Sequence, residues 1–131
     1  MTPNRVNWGP FLSVGNATLD AQHQQLLAAC NELANLCADG GNDIADPQFM
    51  AVYERLMTQA REHFAAEEAL LQAGAYPEVE GYRFETEEYQ YLASEIATAE
   101  NFDKIELQRF LSLWWTGHVL EAVKSQTAYL A

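Results

Sequence analysis

The chain has 131 residues and carries seven Lys and Arg against nineteen Asp and Glu, a formal net charge of −12. That length fits one domain whose core needs neither disulfide nor structural metal, and a surface so acidic repels both duplex phosphate and anionic lipid. The 49% hydrophobic content is that of a folded domain rather than a disordered one, and no apolar run approaches the ~20 residues of a bilayer span.

Met1 to Pro10 shows no basic stretch leading into an apolar one and no small-residue cleavage pattern, which predicts a cytoplasmic protein. Residues 1–17 hold two prolines, two glycines and three asparagines around Val6, Trp8, Phe11, Leu12 and Val14. They read as an irregular arm whose apolar residues anchor it across the rest of the fold. A first helix is expected over about 18–39, where Leu19, Leu26, Leu27, Cys30, Leu33, Leu36 and Cys37 recur at three- and four-residue steps until Gly40-Gly41. On a helix Cys30 and Cys37 stand about 10 Å apart, too far to bridge, so both are expected as reduced core residues.

Asp46-Pro47 is a cap followed by proline at the first helical position, and it predicts a second helix over about 47–72. Phe49, Val52, Leu56, Ala60, Phe64 and Leu71 carry its apolar stripe. A third helix is expected over about 78–98, after Tyr76-Pro77, on Val79, Tyr82, Tyr89, Leu92 and Ile96. Asp103 is placed to cap a fourth over about 104–129, with Leu107, Phe110, Leu111 and Trp114 along one face. No strand is expected. The reading is an all-α, antiparallel up-down-up-down four-helix bundle with an N-terminal arm, in one domain spanning 1–131.

The three histidines, His23, His63 and His118, each fall on the apolar stripe of a different helix. Glu67 follows His63 by four residues, which stacks an imidazole and a carboxylate on one helical face. A lone inward histidine is more often a satisfied core residue. Here every histidine of the chain points inward from a separate helix, together with a carboxylate that is costly to bury unpaired, and the combination points to a metal site. Tyr89, Phe110 and Trp114 read as packing.

Several blocks carry a family resemblance. Ser13-Val14-Gly15, Leu19-Asp20, Gln22-His23 and Leu26 to Asn31 resemble the opening signature of bacterial hemerythrins. His63-Phe64-Ala65-Ala66-Glu67-Glu68 with Tyr76-Pro77 is similar to the family's second-helix block, and Trp114-Trp115-Thr116-Gly117-His118-Val119 to its fourth-helix block. The resemblance covers nearly the whole chain. It implies a four-helix bundle around a non-heme, oxo-bridged diiron centre that binds dioxygen through five histidines, one glutamate and one aspartate.

Position by position, the resemblance makes His23, His63, Glu67 and His118 metal ligands. The two third-helix histidines are replaced by Tyr82 and Thr86, and the bridging aspartate by Val123. The losses fall mainly on one iron, so the resemblance implies a reduced, mononuclear site rather than a standard diiron centre. Two histidines and a carboxylate suffice for one iron, and three histidines with a carboxylate also suit zinc. Tyr82 is retained as a candidate ligand because a phenolate holds ferric iron. Glu85 and Glu121 are off the ligand face and read as solvated carboxylates.

The expected function is a non-enzymatic protein that binds one metal ion, iron or alternatively zinc, with a small diatomic ligand such as dioxygen at an open position. The alternative is a metal-free sensor or interaction module whose acidic surface meets a partner. A mononuclear iron oxidase has the least support, since no substrate pocket, general base or cofactor loop is recognisable.

Overall fold

A computed structural model describes residues 2–37 and 46–130. Among them there is no strand, and four helices run α1 (Ala17–Asn35), α2 (Pro47–Ala73), α3 (Val79–Ala97) and α4 (Lys104–Glu121). Each helix packs on its sequence neighbour, and α4 closes on α1, so the helices form a four-cornered up-down-up-down bundle. No described helix is long and apolar enough to cross a membrane.

The caps explain where the helices start. The Asn16 side chain accepts from Leu19 N–H and opens α1. Asp46 accepts from Gln48 and Phe49 N–H, and Asp103 from Ile105 and Glu106 N–H, so both expected caps are formed. Lys104, 1% exposed, reaches Asp46 at 3.2 Å and the Leu36 carbonyl at 3.3 Å, tying the first turn of α4 to the cap of α2 and the end of α1.

Two helix ends differ from the sequence expectation. Helix α1 closes at Asn35 rather than near 39, because Leu36 and Cys37 N–H turn back to the preceding carbonyls; the expected Gly40-Gly41 stop lies outside the described residues. Helix α4 stops at Glu121 rather than 129 and passes into a π turn, Ala122–Gln126, and a 3₁₀ turn, Thr127–Tyr129. The Thr127 hydroxyl donates to the Val123 carbonyl at 2.8 Å, satisfying a backbone group that the wider turn releases.

The arm crosses the bundle as expected. Asn4 N–H donates to Gln108 Oε1 at 2.7 Å, the Asn4 amide to Ser112 Oγ at 2.8 Å, and Asn31 holds the Val6 backbone at both N–H and C=O. Leu12 and Val14 are buried, but Phe11 is 73% exposed and is no anchor, because the 3₁₀ turn Pro10–Leu12 aims Leu12 inward instead. Leu92 likewise lies outside the core while Ala93 is buried; on α3 the inward face is Tyr82, Thr86, Tyr89 and Ala93. Cys30 and Cys37 are buried core residues, and burial pushes the Cys30 thiol up to about 12.

Candidate metal centre

Three elements aim donors at one point: His23 from α1, His63 and Glu67 from α2, His118 from α4. The side chains of His23, His63 and Glu67 are fully buried and that of His118 is 6% exposed. Their ligand atoms all lie within 4.8 Å of one another. His63 Nε2 is 3.0 Å from His23 Nε2 and 3.3 Å from His118 Nε2. Glu67 Oε2 is 2.8 Å from His63 Nε2 and 3.4 Å from His23 Nε2, while Oε1 is 3.1 Å from His118 Nε2.

Those separations match one coordination sphere. Metal–nitrogen bonds of about 2.0–2.1 Å set neighbouring donors about 2.9 Å apart in octahedral geometry and about 3.4 Å apart in tetrahedral geometry. Protonation explains the cluster less well. Gln22 Oε1 accepts from His63 Nδ1–H at 2.8 Å, which leaves a bare lone pair on His63 Nε2 facing a carboxylate oxygen and two other ring nitrogens. Both Glu67 oxygens lack a hydrogen bond of good geometry, although they sit against three imidazoles.

The electrostatics agree. Burial lowers His63 from its ordinary value to about 4, against the pull of Glu67, so the ring is neutral at pH 7 and its lone pair is free. Burial opposes the charge on Glu67, but His118, His23 and His63 outweigh it and hold this carboxyl well below its ordinary range. A buried carboxylate facing three imidazoles, with the neutral His63 ring against it, is equipped to hold a cation.

Aromatic rings wall the cluster. Trp114 stacks on the His118 ring with centroids 5.1 Å apart, Trp115 meets the His63 ring edge-on at 5.8 Å, and Phe64 stacks on Trp115 at 5.3 Å. The Trp115 indole N–H donates to the Tyr89 hydroxyl at 2.8 Å, and that hydroxyl points to Met57 Sδ at 3.4 Å. Tyr89 and Phe110 are packing residues as expected. Trp114 is more than packing, since it fixes the plane of His118; its signal was the four-residue step to that histidine. Gln22 was missed as the residue orienting His63, because its reach from α1 to α2 is tertiary and leaves no spacing in the sequence.

The remaining positions separate clearly. Tyr82 is 4% exposed with an unpartnered hydroxyl; burial first and then the Glu67 charge push that phenol far up, so it faces the cluster as a neutral group. Thr86 is buried and its hydroxyl donates to its own helix at Arg83 C=O, 2.9 Å. Val123 packs against the core from the π turn. Glu85 and Glu121 are exposed and stand outside the cluster. Two cavities of about 480 and 220 Å³ share Glu85, Glu121 and Gln126; the larger touches His118 and the smaller touches Tyr82.

Comparison with known proteins agrees with this geometry. The family model described as Hemerythrin HHE cation binding domain matches residues 14–121. A curated relative named Bacteriohemerythrin, from Ralstonia nicotianae, is 24% identical over 130 residues, covering 96% of this chain and 89% of that protein. No solved structure matches. The family description, a cation-binding domain, agrees with the expectation of a binding protein.

Proposed function

The chain belongs to the hemerythrin HHE cation-binding family, and from that premise we propose that it binds a single metal ion through His23, His63, Glu67 and His118. The observation that supports this most directly is the convergence of three ring nitrogens and an unpartnered carboxylate at 2.8–3.4 Å. Iron is the first choice and zinc the alternative, since two histidines and a carboxylate with open positions suit ferrous iron and a closed three-histidine, one-carboxylate set suits zinc. Bound there, iron supplies redox chemistry and an open position for a small ligand such as dioxygen. Gln22 orients His63, Trp114 holds His118, and the aromatic wall keeps the site dry, which strengthens every charge interaction inside it. Tyr82 stands beside the cluster as a neutral hydroxyl.

Tyr82, Thr86 and Val123 deprive a second ion of donors, so the proposal is for one ion and against reversible oxygen carriage of the diiron kind. Elemental analysis with an absorption spectrum under air tests it: one ion per chain and no oxo-bridge bands are expected. Two irons per chain with those bands would overturn it. Negligible metal after refolding with iron or zinc would leave a metal-free interaction module as the better reading.

A further inference from the structure

The buried cluster needs a route to solvent, and only one of its members offers it. His23, His63 and Glu67 are fully buried, whereas the His118 side chain keeps 6% exposure and borders the cavity of about 480 Å³ between α3 and α4. Carboxylates line that cavity and its neighbour: Glu85 and Glu121 border both, Glu88 the first and Glu78 the second, and no Lys or Arg lines either. Such a concave, single-sign wall concentrates cations.

One buried polar atom marks the same place. Gln126 is 5% exposed, borders both cavities, and its side-chain carbonyl has no hydrogen-bond partner. A buried amide oxygen left unpaired is costly, and two carboxylates with a carbonyl oxygen are the donors a hard, partly hydrated divalent ion takes. Gly117, adjacent to His118, lines the larger cavity, and a Cβ there meets nothing within 4 Å. The way to His118 is open at that point.

We propose that Glu85, Glu121 and the Gln126 side-chain carbonyl form an outer cation station that holds a hydrated divalent ion and passes it to His118. The passing step rests on the reading of the buried cluster as a metal site; the station itself does not. It binds weakly, keeps several waters on the ion, and sets the rate of loading rather than the final affinity.

Two measurements test this on the whole chain. In the first, metal-free protein takes up Co(II), followed by quenching of Trp114 and Trp115 fluorescence in a stopped-flow instrument. The Glu85→Gln, Glu121→Gln double variant is expected to load about tenfold more slowly at low ionic strength, with unchanged final stoichiometry. Gly117→Leu is expected to slow loading by filling the cavity, with no loss of thermal stability. In the second, zinc-saturated protein is titrated with Mn(II) and read by water-proton relaxation. One weak site is expected, lost in the double variant and weakened in Gln126→Leu. Unchanged uptake rates in both loading variants, or no weak Mn(II) site that depends on Glu85 and Glu121, would overturn the proposal. A protein that retains no zinc but keeps the Mn(II) site would refute the buried cluster while supporting the station.

Discussion

At the residue scale, His63 governs the behaviour of the site. Its Nδ1–H is fixed by Gln22, so Gln22→Leu should free the ring to rotate and lower metal affinity by about 10–100-fold, as loss of such an orienting partner does. His63→Ala and Glu67→Gln should reduce metal content more severely, while Glu85→Ala and Glu121→Ala leave the equilibrium content unchanged; metal analysis after dialysis distinguishes the two groups.

Acid should also act through His63. The folded value lies near 4 and the ordinary one at 6.5, so below pH 6.5 the unfolded chain accepts a proton that the folded chain refuses. The metal-free protein should therefore lose stability as pH falls from 6.5 to 4, at up to about 1.4 kcal/mol per pH unit. Above 6.5 this group has no effect. Glu67, whose folded value is lowered below 4.5, stabilises the fold above that pH and adds its loss only below it. Urea midpoints at pH 7, 5.5 and 4 check the sign, and equal midpoints would refute it.

At the element scale, the end of α2 shows what a glycine can conceal. Gly74 stops the helix where the sequence pattern places the stop, yet its φ is −84, and the left-handed residue is Ala75 at φ 58. Tyr76 N–H bonds to the Leu71 carbonyl and Ala75 N–H to that of Gln72, the pair of bonds of a Schellman turn. Gly74 is small for another reason: a Cβ there would collide with the Tyr129 carbonyl. Ala75→Gly should accordingly stabilise the protein by about 1 kcal/mol. Gly74→Ala should destabilise it by displacing the chain around Tyr129; thermal melts of the two variants separate the roles.

The same scale shows what the sequence made legible. Helix starts could be read because Asp46 and Asp103 act on N–H groups two and three residues away, and the inward faces of α1 and α2 because burial follows helical period. The four clustered donors were legible for the same reason, each lying on an apolar stripe. The end of α4 was not, since no Gly or Pro breaks Ala122 to Tyr129 and the π turn is held by hydroxyls such as that of Thr127. Leu92 misled because on α3 a small alanine, Ala93, takes the inward position beside it. The outer station was hidden because Glu85, Glu121 and Gln126 come together only through packing.

At the scale of the whole molecule, metal and fold are linked. An ion that binds only the folded state, present at a thousandfold excess over its dissociation constant, adds about 4 kcal/mol of stability. Addition of ferrous iron or zinc should raise the melting temperature of the metal-free protein, and a chelator should reverse the rise. If melting is unaffected by either metal, the cluster is a polar core and no binding site.

That added stability is unevenly shared. The four donors come from α1, α2 and α4, and α3 offers the cluster nothing beyond the Tyr82 hydroxyl; it also buries only four residues, against eight on α1 and ten on α2. An ion therefore staples three helices into one body and leaves the fourth as a wall that can swing. Amide exchange would record this as strong slowing across α1, α2 and α4 on metal addition with much less across α3, so that α3 breathes on a free energy of its own. The bundle would then open along the side that carries the acidic cavities, and exchange of small molecules would follow the fluctuations of one helix without unfolding of the other three.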